Sequence, residues 1–238
     1  TSPNLFDDLN RDLAYINKVA HTDVIYLMRL DGTTIAASNY DASDSFIGGN
    51  FGFRPYFKNA VAGRNGRYFA LGTTSKRRGY YFSSPVLDRQ GGKAIGAIVV
   101  KVNIDKLETA WQQYATTFLI TDANGVVFSS NQPGWQFGTI KPLSQATIDR
   151  IEQDQQYPLE ILKPLELTSS SRHPGLIDIK RNTSRQRYLS EQQGIASLGW
   201  NIYALRTSAS LNKAALGYAA LASLLAFLSL ALIYLAIQ

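Results

Sequence analysis

Two cations in this chain stand where a charge is costly. Arg54 lies inside the aromatic run Asn50-Phe51-Gly52-Phe53-Arg54-Pro55-Tyr56-Phe57, and Lys101 interrupts the apolar stretch Ile98-Val99-Val100-Lys101-Val102. A buried charge without a partner forfeits its hydration, so an anion that uses both residues would account for both placements. Arginine offers a planar fork that grips a carboxylate at two points, and lysine offers a compact point charge. Together they describe a site for a small anion with two charged ends. Neutral donors stand nearby, because Thr73-Thr74-Ser75 precedes Tyr80-Tyr81-Phe82-Ser83 and hydroxyls complete carboxylate recognition. Charge-assisted bonds of about 1.5–3 kcal/mol each would hold such a dianion at roughly micromolar strength after association costs. Taken singly, each residue has a plainer reading: Arg54 stacked on Phe53 or Tyr56, Lys101 solvated on an open sheet, Thr73 to Ser75 a polar loop.

Other chemistries lack their residues. The chain has no cysteine and only two histidines, His21 and His173, which excludes disulfides, thiolate metal sites and a convincing histidine metal centre. No HExxH or Gly-x-Ser-x-Gly pattern occurs, and no paired carboxylates stand out. Gly48-Gly49-Asn50-Phe51-Gly52 is not followed by the Lys-Ser/Thr of a phosphate loop. No catalytic residue, metal or cofactor is expected in this segment. The net charge of +6 is scattered, with Lys76-Arg77-Arg78 as the densest cluster, so nucleic-acid binding is not expected either.

The elements that must carry these residues follow from periodicity. Leu5, Leu9, Leu13 and Ile16 predict an amphipathic helix over Asn4 to Val19. Val24 to Leu30 and Thr34 to Ser38 flank Asp31-Gly32 as a hairpin. Pro55 begins a short helix ended by Gly63, which puts Arg54 at its N-terminal lip, where anions are favoured. Alternation along the Lys101 strand assigns Ile98, Val100, Val102 and Ile104 to the core and leaves Ala97, Val99, Lys101 and Asn103 on the more open face.

The chain reads as internally duplicated. Tyr26 through Asn39 overlays Phe118 through Asn131, and Ile95-Gly96 through Val100 overlays Leu198-Gly199 through Tyr203, so Lys101 falls on Ala204. The halves, Val24 to Asp105 and Thr116 to Arg206, are joined by a helix over Ile104 to Tyr114, with another helix over Ser144 to Gln153. Strand pairs interleaved with helices give an antiparallel α+β fold of two tandem modules after an N-terminal helix, the modules spanning 24–110 and 111–208. Ala214 to Ile237 runs without a charge, long enough for one transmembrane helix. A folded region ahead of that span, without enzyme motifs, favours the outer side of the membrane.

Thr33-Thr34-Ile35-Ala36-Ala37-Ser38-Asn39, Ser45-Phe46-Ile47-Gly48, Phe53-Arg54-Pro55-Tyr56-Phe57, Gly72-Thr73-Thr74-Ser75, Gly79-Tyr80-Tyr81 and Leu198-Gly199-Trp200 together resemble the sensor domain of DctB-type C4-dicarboxylate histidine kinases. The resemblance covers most of residues 10 to 210. It implies a double Cache, or tandem PAS-like, extracytoplasmic domain of a two-component sensor. Its membrane-distal module would bind a succinate-, fumarate- or malate-like ligand through Arg54, Thr73, Ser75 and Lys101, with Tyr56, Tyr81 and Ser83 as pocket walls. It also implies an inner-membrane protein with a periplasmic sensor, a homodimer through the N-terminal helix, and kinase activity in sequence outside this segment. Amino-acid-binding relatives of the fold place an aspartate near the position of Lys101, and a lysine there disfavours an ammonium group. Alternatives are the same sensor on a chemoreceptor or cyclic-nucleotide enzyme, or one for another carboxylate or an amino acid.

Overall fold

The computed structural model describes residues 3–105, 108–109, 114, 116–170, 175–181, 183–196 and 198–207. Helix α1 (Pro3–Ala20) forms where the leucine stripe predicts it, but of that stripe only Leu9 and Leu13 meet the sheet, while Leu5 and Ile16 face solvent. Leu13, with Leu9 beside it, packs on Ile25 and Ala36 and against Leu27, Ile98 and Val100. Asn10 fixes the helix to the sheet by accepting the Ala37 N–H at 2.9 Å.

That sheet contains β1 (Val24–Arg29), β2 (Thr34–Ala37), β3 (Gly66–Leu71), β4 (Arg78–Leu87) and β5 (Ala94–Asn103). The strands lie in the order β2-β1-β5-β4-β3, all antiparallel. Helix α2 (Pro55–Val61) begins at the predicted proline with Arg54 as its N-cap. It lays Tyr56, Phe57 and Ala60 against Val24, Tyr26, Met28, Ala97 and Val99. The sheet is therefore covered on both faces, which corrects the expected one-sided arrangement. The face of Ala97, Val99 and Lys101 is the deeper one, and Ile98 and Val100, under α1, are only half-buried.

The second sheet comprises β6 (Thr117–Thr121), β7 (Val127–Ser130), β10 (Glu166–Ser169), β11 (Leu176–Arg181), β12 (Ser184–Ile195) and β13 (Trp200–Thr207). Its order is β10-β11-β12-β13-β6-β7, again antiparallel throughout. Between β7 and β10 lie a short parallel pair, β8 (Gly138–Thr139) with β9 (Lys163–Pro164), and helix α3 (Gln145–Gln153). Ser144 caps α3 by accepting the Thr147 N–H.

The duplication is real, but the opening hairpins stand 93 residues apart and the closing strands 104, each one more than the overlay of identities gave. Tyr26 pairs Ala37 in one sheet and Leu119 pairs Ser130 in the other, and both hairpins carry an irregularity just after these rungs. Gly32 and Gly125 turn with φ 86° and 84°, a conformation that favours glycine. Ser38 accepts the Ile25 N–H at 2.9 Å, and Asn131 accepts the Phe118 N–H at 2.7 Å. On the closing strands, Val24 faces Lys101 and Thr117 faces Leu205. The counterpart of Lys101 is thus the buried Leu205, not Ala204.

The halves meet through aromatic rings and a polar seam. Phe69 packs on Phe128 at 4.3 Å and Tyr80 on Trp200 at 5.1 Å between ring centres. The Leu71 N–H donates to the Gln156 carbonyl at 3.0 Å, and Arg78 donates to the Phe128 carbonyl at 2.9 Å while pairing with Asp105 and Glu108. Of the expected linking helix, Asp105, Glu108 and Thr109 are helical and much of the rest lies outside the described residues. So does the whole expected transmembrane span, 214–237. No helix among the described residues is long and apolar enough to cross a membrane.

Candidate ligand-binding site

Lys101 sits in the middle of the first sheet, between Val24 of β1 and Tyr81 of β4, and its side chain is fully buried. The aliphatic stem lies across Gly79. A Cβ placed there would come within 2.7 Å of Lys101 Cε and 3.0 Å of Cγ, so the sequence leaves that position of β4 without a side chain. The ammonium is met by a carboxylate and a hydroxyl, with Asp23 Oδ2 at 2.5 Å and Ser75 Oγ at 2.9 Å. The Phe46 ring lies 5.9 Å from Nζ. Asp23 closes the ladder as well, its N–H donating to the Lys101 carbonyl at 2.8 Å.

Three phenols pack beside this pair. Tyr81 stacks on Tyr56 with ring centres 5.1 Å apart and planes 8° apart, and the Tyr56 and Tyr26 hydroxyls share a hydrogen bond of 2.7 Å. Burial raises all three above the ordinary tyrosine value, Tyr56 to about 12, so at neutral pH each is an uncharged donor and acceptor. The Tyr81 phenol is within electrostatic reach of both Arg54 and Asp23. Gly72 draws the loop in, because a Cβ there would stand 2.6 Å from Ser75 Oγ and 3.2 Å from the Tyr81 hydroxyl. Ser83 works from behind, donating to the Tyr56 carbonyl at 2.7 Å and so seating α2 on the sheet.

Arg54 is buried too, but its fork points at the second half. Nη1 donates to the carbonyls of Asp154 (3.1 Å) and Gln155 (2.8 Å), and Nη2 donates to that of Leu71 (3.0 Å). The acceptors explain the choice of an arginine. Helix α3 ends in a Schellman turn, with the Gln156 N–H on the Ile151 carbonyl, the Gln155 N–H on that of Glu152, and Gln155 at φ 47°. Carbonyls at such an end carry partial negative charge and lack partners within the helix, which suits a guanidinium. Three of its five N–H donors are committed, two to that helix end and one to the Leu71 carbonyl of β3, and the Phe53 ring lies 5.1 Å from its carbon.

The structure therefore brings the buried Lys101, Tyr81 and Tyr56 and the half-buried Ser75 into one cluster, with Ser83 bracing the helix above it. Thr73 lies on the wall of a cavity of about 340 Å³, formed with Leu71, Gly72, Lys76 and the 152–160 segment. Arg54 stands at the junction of the two halves. Asp23 and Tyr26 were missed by sequence reasoning, since only the β1–β5 and β1–β2 pairings bring them to the site. Among the described residues, no three His, Cys, Asp or Glu side chains converge as a metal site would require.

Two antiparallel modules of one plan, the first holding a buried polar cluster beneath a short helix, define a tandem PAS-like sensor domain of the double Cache type. The chain belongs to the DctB sensor-domain family. It is 34% identical to the sensor domain of the V. cholerae histidine kinase DctB, with a TM-score of 0.76 over 85% of this chain and 79% of that one. It is also 40% identical over 200 residues to the C4-dicarboxylate transport sensor protein DctB of Pseudomonas aeruginosa and 32% identical to that of Rhizobium meliloti. The matches take in 83% and 82% of this chain but only 30% and 32% of those proteins, so the chain spans about a third of their length. No family model matches it.

Proposed function

We propose that this chain is the periplasmic sensor region of an inner-membrane histidine kinase, and that its first module binds a small C4-dicarboxylate. The observation that carries the reading is the fully buried Lys101, set on a rung where the second module has Leu205. The fold tolerates an apolar residue there, so the lysine is an addition with its own use. The names of the curated relatives supply the ligand class, C4-dicarboxylates.

One ligand carboxylate is taken by Lys101 with the hydroxyls of Ser75, Thr73 and Tyr81, and the other by Arg54 with Tyr56. Ser83 sets the height of α2 over the site. An amino acid is the poorer ligand, because Asp23, which would have to hold its ammonium, already faces Lys101. Since Arg54 also holds the end of α3, a ligand that draws on it alters the contact between the modules and so the strand leading to the 214–237 span. That span anchors the domain, and α1 joins two copies through the exposed Leu5, Tyr15, Ile16 and Val19.

Calorimetry with succinate, fumarate and malate tests the reading. Micromolar binding of at least one of them, lost in Lys101→Gln, is the expected result. Heat changes that are the same in both proteins would refute the site.

A further inference from the structure

Asp23 is the nearest partner of the residue on which the site depends. Its carboxylate meets Lys101 Nζ at 2.5 Å, in the position a ligand carboxylate would need, and its side chain keeps 17% of its surface exposed while that of Lys101 keeps none. The pair thus has a buried cation and an anion at the rim, able to turn outward into water. Asp23 also lies at the joint between α1 and β1. Asn17 of α1 donates to the Asp23 carbonyl at 3.4 Å and accepts from the Thr22 hydroxyl at 2.5 Å, while the Asp23 N–H holds Lys101 from the strand side.

Charge balance decides what this pair does. With Asp23 in place, Lys101 is neutralised and the site presents only the charge of Arg54. A monocarboxylate balances that charge and leaves Asp23 where it is. A dicarboxylate brings one negative charge too many into a buried space, where an uncompensated charge is expensive, unless Asp23 withdraws. We propose that Asp23 is a tethered competitor for Lys101, a specificity-determining carboxylate that only a dianionic ligand displaces and whose displacement is felt at the end of α1. This rests on the dicarboxylate reading above. It adds that affinity is held down by an internal anion, and that occupancy by a monoanion leaves the α1 joint unchanged.

The test uses the purified 238-residue chain, titrated with succinate and with butyrate as the monoanionic probe. In Asp23→Asn, succinate is expected to bind about tenfold or more tightly than in the unaltered chain, a larger gain than that of butyrate. In the unaltered chain, the carboxyl carbon resonance of Asp23 is expected to move on saturation with succinate and to stay in place with butyrate. Succinate binding that Asp23→Asn leaves equal or weakens, or an Asp23 resonance unmoved by bound succinate, overturns the competitor while leaving the dicarboxylate site standing. Absence of dicarboxylate binding in both proteins overturns the site and the competitor together. Should Asp23→Asn fail to melt cooperatively, the resonance of the unaltered chain decides alone.

Discussion

Lys101 in β5 and Leu205 in β13 hold the same rung of two sheets built on one plan. Each faces the opening residue of its module, Val24 or Thr117, and both are fully buried. One module thus fills the position with a leucine, and the other spends an ion pair on it.

Replacing a buried ion pair by apolar residues of similar volume is often neutral or stabilising by about 1–4 kcal/mol. The double variant Lys101→Leu with Asp23→Leu is therefore expected to unfold in urea at the same or higher midpoint than the unaltered chain. It should lose all stabilisation by succinate. A marked loss of stability would mean that the pair is required by the fold.

Arg54→Ala is a poor probe of binding, because it removes three hydrogen bonds from buried carbonyls at the junction of the modules. A destabilisation of about 3 kcal/mol or more is expected, measured by urea denaturation. Arg54→Lys keeps the charge without the fork and should recover only part of it. Near-normal stability in Arg54→Ala would show that α3 does not need this cap.

Gly79→Ala tests the lysine channel. Its methyl group would meet Lys101 Cε at 2.7 Å, displacing the ammonium from Asp23 and Ser75. A stability loss of about 1–3 kcal/mol is expected, together with weakened succinate binding by calorimetry. Unchanged binding would place the ligand away from this stem.

Much of the frame was legible in the sequence, and the failures have physical causes. Helices α1 and α2 followed from the leucine stripe and from Pro55. The duplication was visible but slipped by one, because identities aligned Ser38 with Ser130 while the structure gives the role of Ser38 to Asn131, which accepts the equivalent N–H. An acceptor's role survives a change of residue that an overlay of letters reads as a mismatch. The face of Lys101 was misassigned because both faces of the first sheet are covered, so alternation lost its meaning. The cation pair was correctly singled out as unusual, yet the tie of Arg54 to α3 spans a hundred residues, and no local pattern announces it.

Helix α1 presents Leu5, Tyr15, Ile16 and Val19 to solvent, and Leu5 and Ile16 are separated by about three turns, which places them on one stripe. If this stripe joins two copies, Ile16→Asp should shift the sedimentation of the chain toward the monomer without changing its melting. A mass unaffected by the substitution would assign the stripe no such role.

Acid should loosen the second sheet through Asp178. Hydrogen bonds from Arg187 and Arg185 hold its carboxyl well below the ordinary range, at about 2. A carboxyl depressed in the folded state contributes stability that is full above the unfolded value near 4 and is lost as pH falls toward about 2. Urea denaturation between pH 6 and 2 should show that acid limb, flattened in Asp178→Asn. Identical limbs in the two proteins would assign the acid sensitivity to other groups.

The most direct test of the dicarboxylate site is a succinate titration of the unaltered chain beside Lys101→Leu. Micromolar binding to the first and none to the second is the predicted result. Equal binding to both, or none to either, would contradict the account.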